Sequence, residues 1–200
     1  MNNSNIFISA LISVALLTAC NNGASNAASS ANQESSAPIV NETAAPNKVK
    51  LSSKDGLINI NVEGAFVDKS DDAQFLPEGE DPKNVLLLQY DEARDVSISV
   101  VESGALKDKA DAFFATLKQN IESDKTLKDV QVETINEQRL AYGFSSGEET
   151  VVQEYCLTDV ASNKHIYTTC AISGQLTVND LKAILSDVTI FTSLKTIHQP

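Results

Sequence analysis

The sequence predicts an α+β layered sandwich for residues 48–200. Several segments alternate apolar and polar residues with the period of a strand. A long stretch near the middle of the chain has the period of an amphipathic helix, and a shorter one lies near the end. Strands interrupted by one central and one terminal helix are typical of an α+β layered fold. This length is enough for one domain with a substantial core, but not for two.

The strands are predicted from alternation and from the turn residues that bound them. The first one is bounded by glycines, and the second is a continuous apolar run that indicates a strand covered on both faces. A strictly alternating segment follows it as the second arm of a hairpin. The predicted strands are residues 57–62, 85–90 and 96–100, and segments around 130–135, 139–145, 149–158 and 164–172.

Two helices are predicted from apolar residues at helical spacing. The central one has spacings of four, three, four and four residues, which put its apolar residues on one packing face. The terminal helix begins at Thr177, which forms with Asp180 a pattern similar to a capping box. The predicted faces are Leu106, Ala110, Phe113, Leu117 and Ile121 in the first helix, and Leu181, Ile184, Leu185 and Val188 in the second.

The first twenty residues have the pattern of a secretory signal. Residues 6–19 are uncharged and nearly all apolar or small, a run too short to span a bilayer but typical of a signal-peptide core. The run ends in Leu17-Thr18-Ala19-Cys20, which resembles a bacterial lipobox. The resemblance implies removal of residues 1–19 and lipidation of Cys20, including acylation with a fatty acid such as palmitate. Because residues 1–5 contain no Lys or Arg, an uncleaved or non-lipidated signal is the alternative.

Residues 20–47 are predicted to be the lipidated Cys20 followed by a disordered tether. Asn, Ala and Ser dominate this stretch, and it has no aromatic residue and no hydrophobic period. Such a segment buries too little apolar surface to offset the entropy of ordering it. As a flexible coil it spans roughly 30 Å. It would therefore hold the folded part clear of the membrane surface.

The charge of the chain argues against nucleic-acid partners. Two of the 27 acidic residues precede Lys48, so residues 48–200 hold the other 25 together with all 15 Lys and Arg residues, a net charge of −10. Such a surface repels phosphate groups and anionic headgroups. It is compatible with a cationic partner, although acidity is more often a solubility feature.

Two cysteines remain if Cys20 is lipidated, and both would lie in a compartment where disulfides persist. Cys156 and Cys170 flank a predicted hairpin whose turn centres on Asn163, which places them opposite each other at a Cα separation of about 4.5–5.5 Å. This register predicts a structural disulfide worth about 3 kcal/mol. Two free thiols, and redox or metal chemistry, are the alternatives, although the spacing is not that of a Cys-x-x-Cys motif.

No catalytic or cofactor motif stands out in the sequence. The two histidines are His165, in the predicted turn, and His198, near the C-terminus, and no nucleophile elbow accompanies them. A zinc site made of Cys156, Cys170 and His165 would lack a fourth ligand. Glycine loops that cradle phosphate are also missing. We therefore predict no catalytic residue, no metal or cofactor and no small-molecule substrate.

Residues 68–83 are acid-rich, contain prolines and are predicted to form an irregular loop. The spacing of the acids from Asp68 to Asp72 is similar to the start of a calcium loop. However, Ala73 stands where an EF-hand needs glycine, and Gly79 stands where its bidentate glutamate belongs. A solvated acidic loop is the favoured interpretation, and a calcium site is the alternative.

The order of elements resembles the DcrB family of enterobacterial lipoproteins. The resemblance covers the lipobox, the tether, the first strand, the central helix at 106–121 with the segment at 127–132 after it, the hairpin around 160–163 and the terminal helix. It implies a three-layer α/β/α sandwich around a largely antiparallel sheet, like that of the photosystem protein PsbP and a yeast Ran-binding import factor. The family is linked to phage adsorption and envelope processes and has no established catalytic site.

These observations together predict a non-enzymatic, lipid-anchored protein of the bacterial cell envelope that faces the periplasm. Asn21 follows the lipidated cysteine in place of the aspartate that resembles an inner-membrane retention signal, which favours the outer membrane. The domain is expected to bind another envelope protein, with roles in phage adsorption or envelope homeostasis. The alternative is a periplasmic inhibitor or immunity-type protein that binds a basic partner.

Overall fold

The computed structural model describes residues 48–77, 79–148 and 150–191. The predicted signal peptide, the lipidation site Cys20, the tether and His198 lie outside the described residues. Within the described ranges, no helix combines the length and apolar character needed to cross a bilayer.

The described residues form ten β-strands, two α-helices and two short 3-10 turns. In chain order the elements are β1 (Lys48–Ser52), β2 (Ile58–Glu63), β3 (Val67–Asp68), a turn at Pro82–Asn84, β4 (Val85–Asp91), β5 (Val96–Ala105), α1 (Ala110–Ser123), β6 (Lys128–Asn136), β7 (Arg139–Ser146), β8 (Val152–Val160), β9 (His165–Ser173), α2 (Val178–Ile184), a turn at Leu185–Asp187 and β10 (Val188–Ile190).

The strands form two antiparallel sheets. The larger one has seven strands in the order β3-β4-β5-β9-β8-β7-β6, and the smaller one has three in the order β1-β2-β10. The prediction of an α+β fold with a largely antiparallel sheet is confirmed. The second sheet was not predicted, because β1 is a short strand next to the tether and β10 has only three residues.

One face of the large sheet packs against the small sheet and α2. Alternate side chains of β5, including Ile98 and Val100, are fully buried there against Ile58 and Ile60 of β2 and Leu181 of α2. Burying one such aliphatic side chain contributes about 1.5–3 kcal/mol. This cluster is the largest part of the described core.

The opposite face of the large sheet is covered by α1. Leu117 and Ile121 of the helix pack against Leu140 and Phe144 of β7. Beyond the helix, Phe75 and Leu76 of the acidic loop pack on the same sheet in a smaller cluster with Val85 and Leu88 of β4. The two faces of β4 are therefore both covered, as its continuous apolar run predicts.

The central helix begins later than its apolar period predicts. Leu106 lies before α1, and its amide donates to the Lys164 carbonyl oxygen at 2.6 Å. The reason is that β5 stays paired with β9 up to Ala105, so the chain is still extended there. Phe114, rather than the predicted Phe113, is the buried aromatic residue of the helix.

The terminal helix has the predicted start but an earlier end. The Thr177 hydroxyl accepts from the Asp180 amide at 3.3 Å, and the Asp180 carboxylate accepts from the Thr177 amide at 3.0 Å, which confirms the capping box. The helix ends at Ile184, so Leu185 lies in a 3-10 turn and Val188 in β10.

A buried ion pair connects the two sheets. The Arg139 guanidinium donates to both carboxylate oxygens of Asp159, at 2.7 and 3.1 Å, and to the Val188 carbonyl oxygen of the small sheet at 3.2 Å. Burial raises the pKa of Asp159, and the Arg139 hydrogen bonds and charge only partly offset this. The bidentate geometry fixes β10 relative to β7 and β8.

Candidate functional site

The cysteine pair lies on the face of the large sheet that α1 covers. Cys156 faces Cys170 and Thr158 faces Thr168, so the predicted register of the hairpin is confirmed. The two Cα atoms are 4.2 Å apart and the two Sγ atoms 2.10 Å apart. Both residues are buried under α1 in the same cluster as Phe114. This position indicates a structural link within the core.

Glu154 lies two residues before Cys156 on the same face of β8. One of its carboxylate oxygens is 3.2 Å from the Cys156 Sγ atom. Burial raises the pKa of Glu154 from 4.5 to about 7. A paired sulfur has no proton to donate, so this contact does not compensate the carboxylate charge. Among the described carboxyl groups, half-buried Glu154 is the one whose ionisation the fold opposes most clearly.

Cys156, Cys170 and His165 do not come together as the zinc site that was the alternative to a disulfide. Glu154, Cys156 and Cys170 lie close enough for their ligand atoms to share one ion. Zinc binds cysteine as thiolate, which the paired sulfurs do not provide. The third predicted ligand, His165, lies at the start of β9. Its Nδ1 atom contacts the Glu102 carboxylate of β5.

A row of directly facing residues continues this surface across the sheet. Tyr90 of β4 faces Ser97 of β5, Ser97 faces Ile172 of β9, and Ile172 faces Glu154. Ile172 lies two residues after Cys170, so the row and the cysteine pair share one face. Tyr90, Ser97 and Ile172 form the floor of an open cleft of about 990 Å³. We call it the Tyr90 cleft.

The walls of the Tyr90 cleft come from separate parts of the chain. Val67 and Phe75 line one side, and Val152 lines another. The Phe75 ring lies against Tyr90, with ring centroids 4.9 Å apart. The cleft is therefore mainly apolar and aromatic in its interior.

One exposed apolar side chain lines this cleft. Among the described residues, the exposed large hydrophobics are Val67, Ile135, Val151 and Phe191. Val67 lines the cleft with 59 % of its surface exposed and faces Tyr90 across the β3–β4 pair, whereas the other three do not line it. Val67 therefore extends the apolar surface of the cleft out to solvent.

Carboxylates line the cleft in larger number than bases. Asp72, Asp91, Glu92 and Asp95 are among its lining residues, against Lys69 as the only base. Asp91 is buried and structural: burial would raise its pKa, but the Arg94 hydrogen bond and charge and two backbone amides together lower it. Asp72 lies 3.9 Å from the Lys69 ammonium group, so Glu92 and Asp95 are the acids that leave the rim of the cleft acidic.

Tyr90 is held in its protonated form at the cleft floor. Its hydroxyl donates to one Asp95 carboxylate oxygen at 2.9 Å. Burial, followed by the hydrogen bond and charge of Asp95, raises the pKa of Tyr90 to about 12. The phenol therefore stays a hydrogen-bond donor and does not act as a base near neutral pH.

The acidic loop mainly stabilises its own backbone. Asp68, Asp72 and Asp81 each accept a hydrogen bond from the amide two residues further along, at 2.8, 3.2 and 3.0 Å. This Asx-turn geometry explains why acids recur there. Apart from β3 and the 3-10 turn at Pro82–Asn84, the loop is irregular as predicted.

The Tyr90 cleft was not predicted from the sequence. Its lining residues come from the β2–β3 connection, the acidic loop, the β4–β5 hairpin and the segments at 152 and 172–174. None of these segments carries a motif by itself. The one local signal is that Tyr90 directly precedes the predicted hairpin turn and Asp95 is the last residue of that turn.

No protein-family model matches the chain, and no curated protein sequence matches it. Among solved structures, the Ran-binding protein Mog1p of Saccharomyces cerevisiae is similar with a TM-score of 0.48 and 10 % sequence identity, over 73 % of this chain and 96 % of that one. A mutant of Mog1 gives a TM-score of 0.48 and 11 % identity over 72 % and 96 %. Similarity this low carries no argument about partners, and folds do not determine function.

Proposed function

We propose that this chain is a lipid-anchored protein of the bacterial cell envelope whose domain binds another envelope protein without catalysing a reaction. The observation that carries the proposal is the Tyr90 cleft with its exposed lining residue Val67. An apolar centre surrounded by a polar rim is the usual anatomy of a protein-binding surface.

The anchor is supported by the lipobox that ends at Cys20. Three acyl chains bind far more firmly than one, since each buried methylene contributes about 0.8 kcal/mol. The tether would join the domain at Lys48, which faces Glu63 in the small sheet. Ala65, two residues further on, lines the cleft. The cleft would therefore lie at the end of the domain to which the tether is attached.

The finer fold assignment belongs to the same proposal. The small sheet with α2 on one face of the large sheet, and α1 on the other, support a three-layer α/β/α sandwich of the PsbP type. Membership in the DcrB family would connect the protein with phage adsorption or envelope homeostasis. In that case the outer membrane is the favoured location.

A second candidate is a periplasmic inhibitor or immunity-type protein that binds a basic partner. The acidic rim formed by Glu92 and Asp95 favours it. It differs from the first candidate in requiring a soluble toxic or enzymatic partner rather than a resident of the envelope.

In-cell photocross-linking tests the binding function. A photoreactive amino acid replaces Val67, Val151, Ile135 or Phe191, one position at a time, in the full chain. Glu122, exposed on the outer side of α1, is the matched control position. We expect discrete protein adducts at one or more of the four apolar positions and none at Glu122. Absence of adducts at all four positions would reject a protein-binding role.

A further inference from the structure

We propose that the Tyr90 cleft binds an extended segment of a partner protein that carries a Lys or Arg side chain between apolar ones. This inference rests on the proposed protein-binding function and adds the chemistry of the segment. It follows from three properties of the cleft: its aromatic and aliphatic interior, the sign of its rim and the way it already holds an ammonium group.

The apolar half of the recognition comes from the floor and the flanks of the cleft. Tyr90, Phe75 and Ile172 offer ring and aliphatic surface inside, and Val67 extends that surface outward. An open cleft of about 990 Å³ exceeds what a single side chain fills. Alternate apolar side chains of an extended segment would fit such a surface.

The charge of the rim selects the other side chains of the segment. Asp91 is neutralised by Arg94, whose Nε atom lies 2.8 Å from a carboxylate oxygen. In contrast, Glu92 and Asp95 form no ion pair with any residue in the described ranges. Asp95 accepts the Tyr90 hydroxyl, which leaves its negative charge uncompensated. A cationic side chain would supply the missing countercharge.

Lys69 shows how the cleft holds an ammonium group. Its Nζ atom lies 4.9 Å from the centroid of the Phe75 ring and 3.9 Å from a carboxylate oxygen of Asp72. Ring face and carboxylate together are a favourable environment for a cation. Tyr90 and Asp95 place a second ring and a second carboxylate next to Phe75, and no cation lies over the Tyr90 ring among the described residues. We assign this second position to the partner's basic side chain.

The same charges disfavour a lipid surface as the occupant. Anionic headgroups attract polybasic surfaces, whereas the rim here is acidic and residues 48–200 carry a net charge of −10. The cleft is therefore assigned to a protein segment, although it lies at the tethered end of the domain.

Binding of two synthetic peptides to the detergent-solubilised full chain tests the inference. The fluorescein-labelled peptides have equal length and alternate Val with either Lys or Glu. We expect the Lys peptide to bind at least about tenfold more tightly, with an affinity that falls as salt is raised from low to high. Equal binding of the two peptides would overturn the inference.

Two conservative variants locate the binding site. Glu92→Gln and Asp95→Asn remove charge without changing shape, and asparagine tolerates the left-handed backbone of residue 95, whose φ is 51°. Each is expected to weaken binding of the Lys peptide by about fivefold or more, while Glu122→Gln on α1 leaves that binding unchanged. Unchanged binding in both cleft variants, with thermal unfolding like that of the parent protein, would contradict the assignment.

The cross-linking experiment separates this inference from the proposed function. Adducts at Ile135, Val151 or Phe191, with none at Val67, would preserve a protein-binding role and reject the Tyr90 cleft as its site. Adducts at Val67 that the Lys peptide suppresses and the Glu peptide does not would support both.

Discussion

Glu154 carries the clearest electrostatic cost of any described carboxyl group. It lies half-buried beside the cysteine pair, where loss of solvent raises its pKa to about 7. In the unfolded chain the same group ionises near pH 4.5. Between these two values the folded protein binds more protons than the unfolded one. The contribution of Glu154 to stability is therefore full below pH 4.5 and falls as the pH rises toward 7.

Glu154→Gln is expected to remove this pH dependence. At pH 8 the variant should have a free energy of unfolding about 1–3 kcal/mol higher than the parent protein, because a neutral amide needs no ionised form to be buried. At pH 4 the two proteins should differ little. Urea unfolding at both pH values measures the difference, with exposed Glu122→Gln as the control. A difference that is the same at both pH values would contradict the raised pKa.

At the scale of single elements, strand pairing places the cysteines together. The tight connection between β8 and β9 fixes a register in which Cys156 and Cys170 face each other in the middle of the sheet. The two strands already pair in the folded protein, so the cross-link acts mainly by reducing the entropy of the unfolded chain. The loop that it closes is short, which keeps this effect modest. The link therefore stabilises the hairpin on which α1 packs.

The paired state predicts the absence of reactive thiols in the processed protein. Thiol titration of denatured, non-reduced protein should find neither Cys156 nor Cys170 reactive. The double variant Cys156→Ala, Cys170→Ala should lose about 3 kcal/mol in the free energy of unfolding. As control, the parent protein should expose two thiols after reduction. Two reactive cysteines before reduction would reject the disulfide.

At the scale of the whole molecule, the position of the cleft relative to the tether determines what it can reach. Lys48 begins β1 beside Glu63, close to the cleft wall at Ala65. A lipid anchor at Cys20 and a tether of roughly 30 Å would confine the cleft to a layer next to the membrane. Partners within that layer then meet the cleft at a high effective concentration.

The variant Cys20→Ala tests whether the domain is anchored through a lipid on Cys20. The variant is expected to give a soluble or unprocessed product, because the modification that would supply the acyl chains requires the cysteine. Fractionation of cells followed by mass measurement of the product distinguishes the two. Asn21→Ala, which leaves the lipobox intact, is the control and should stay in the membrane fraction. Processed Cys20→Ala protein that still partitions with the membrane would contradict lipidation.

Local patterns predicted much of the secondary structure. The capping box of Thr177 and Asp180 and the alternation of β5 depend on neighbours within a few residues, so the sequence displays them directly. The facing of Cys156 and Cys170 needed only one tight hairpin. The start of α1 could not be predicted in this way, because the pairing of Ala105 with His165 keeps the preceding chain extended.

The sequence by itself determined the alternating strands, the helix cap, the opposed cysteines and the pattern that predicts a lipidated Cys20. Only the tertiary structure decided that β1, β2 and β10 form a second sheet, and that Tyr90, Phe75 and Ile172 form one cleft. The physical reason is the separation in the sequence over which each kind of interaction acts. Periodicity and capping act between near neighbours, whereas a cleft and a sheet of distant strands depend on contacts between segments whose separation in the sequence carries no local signal.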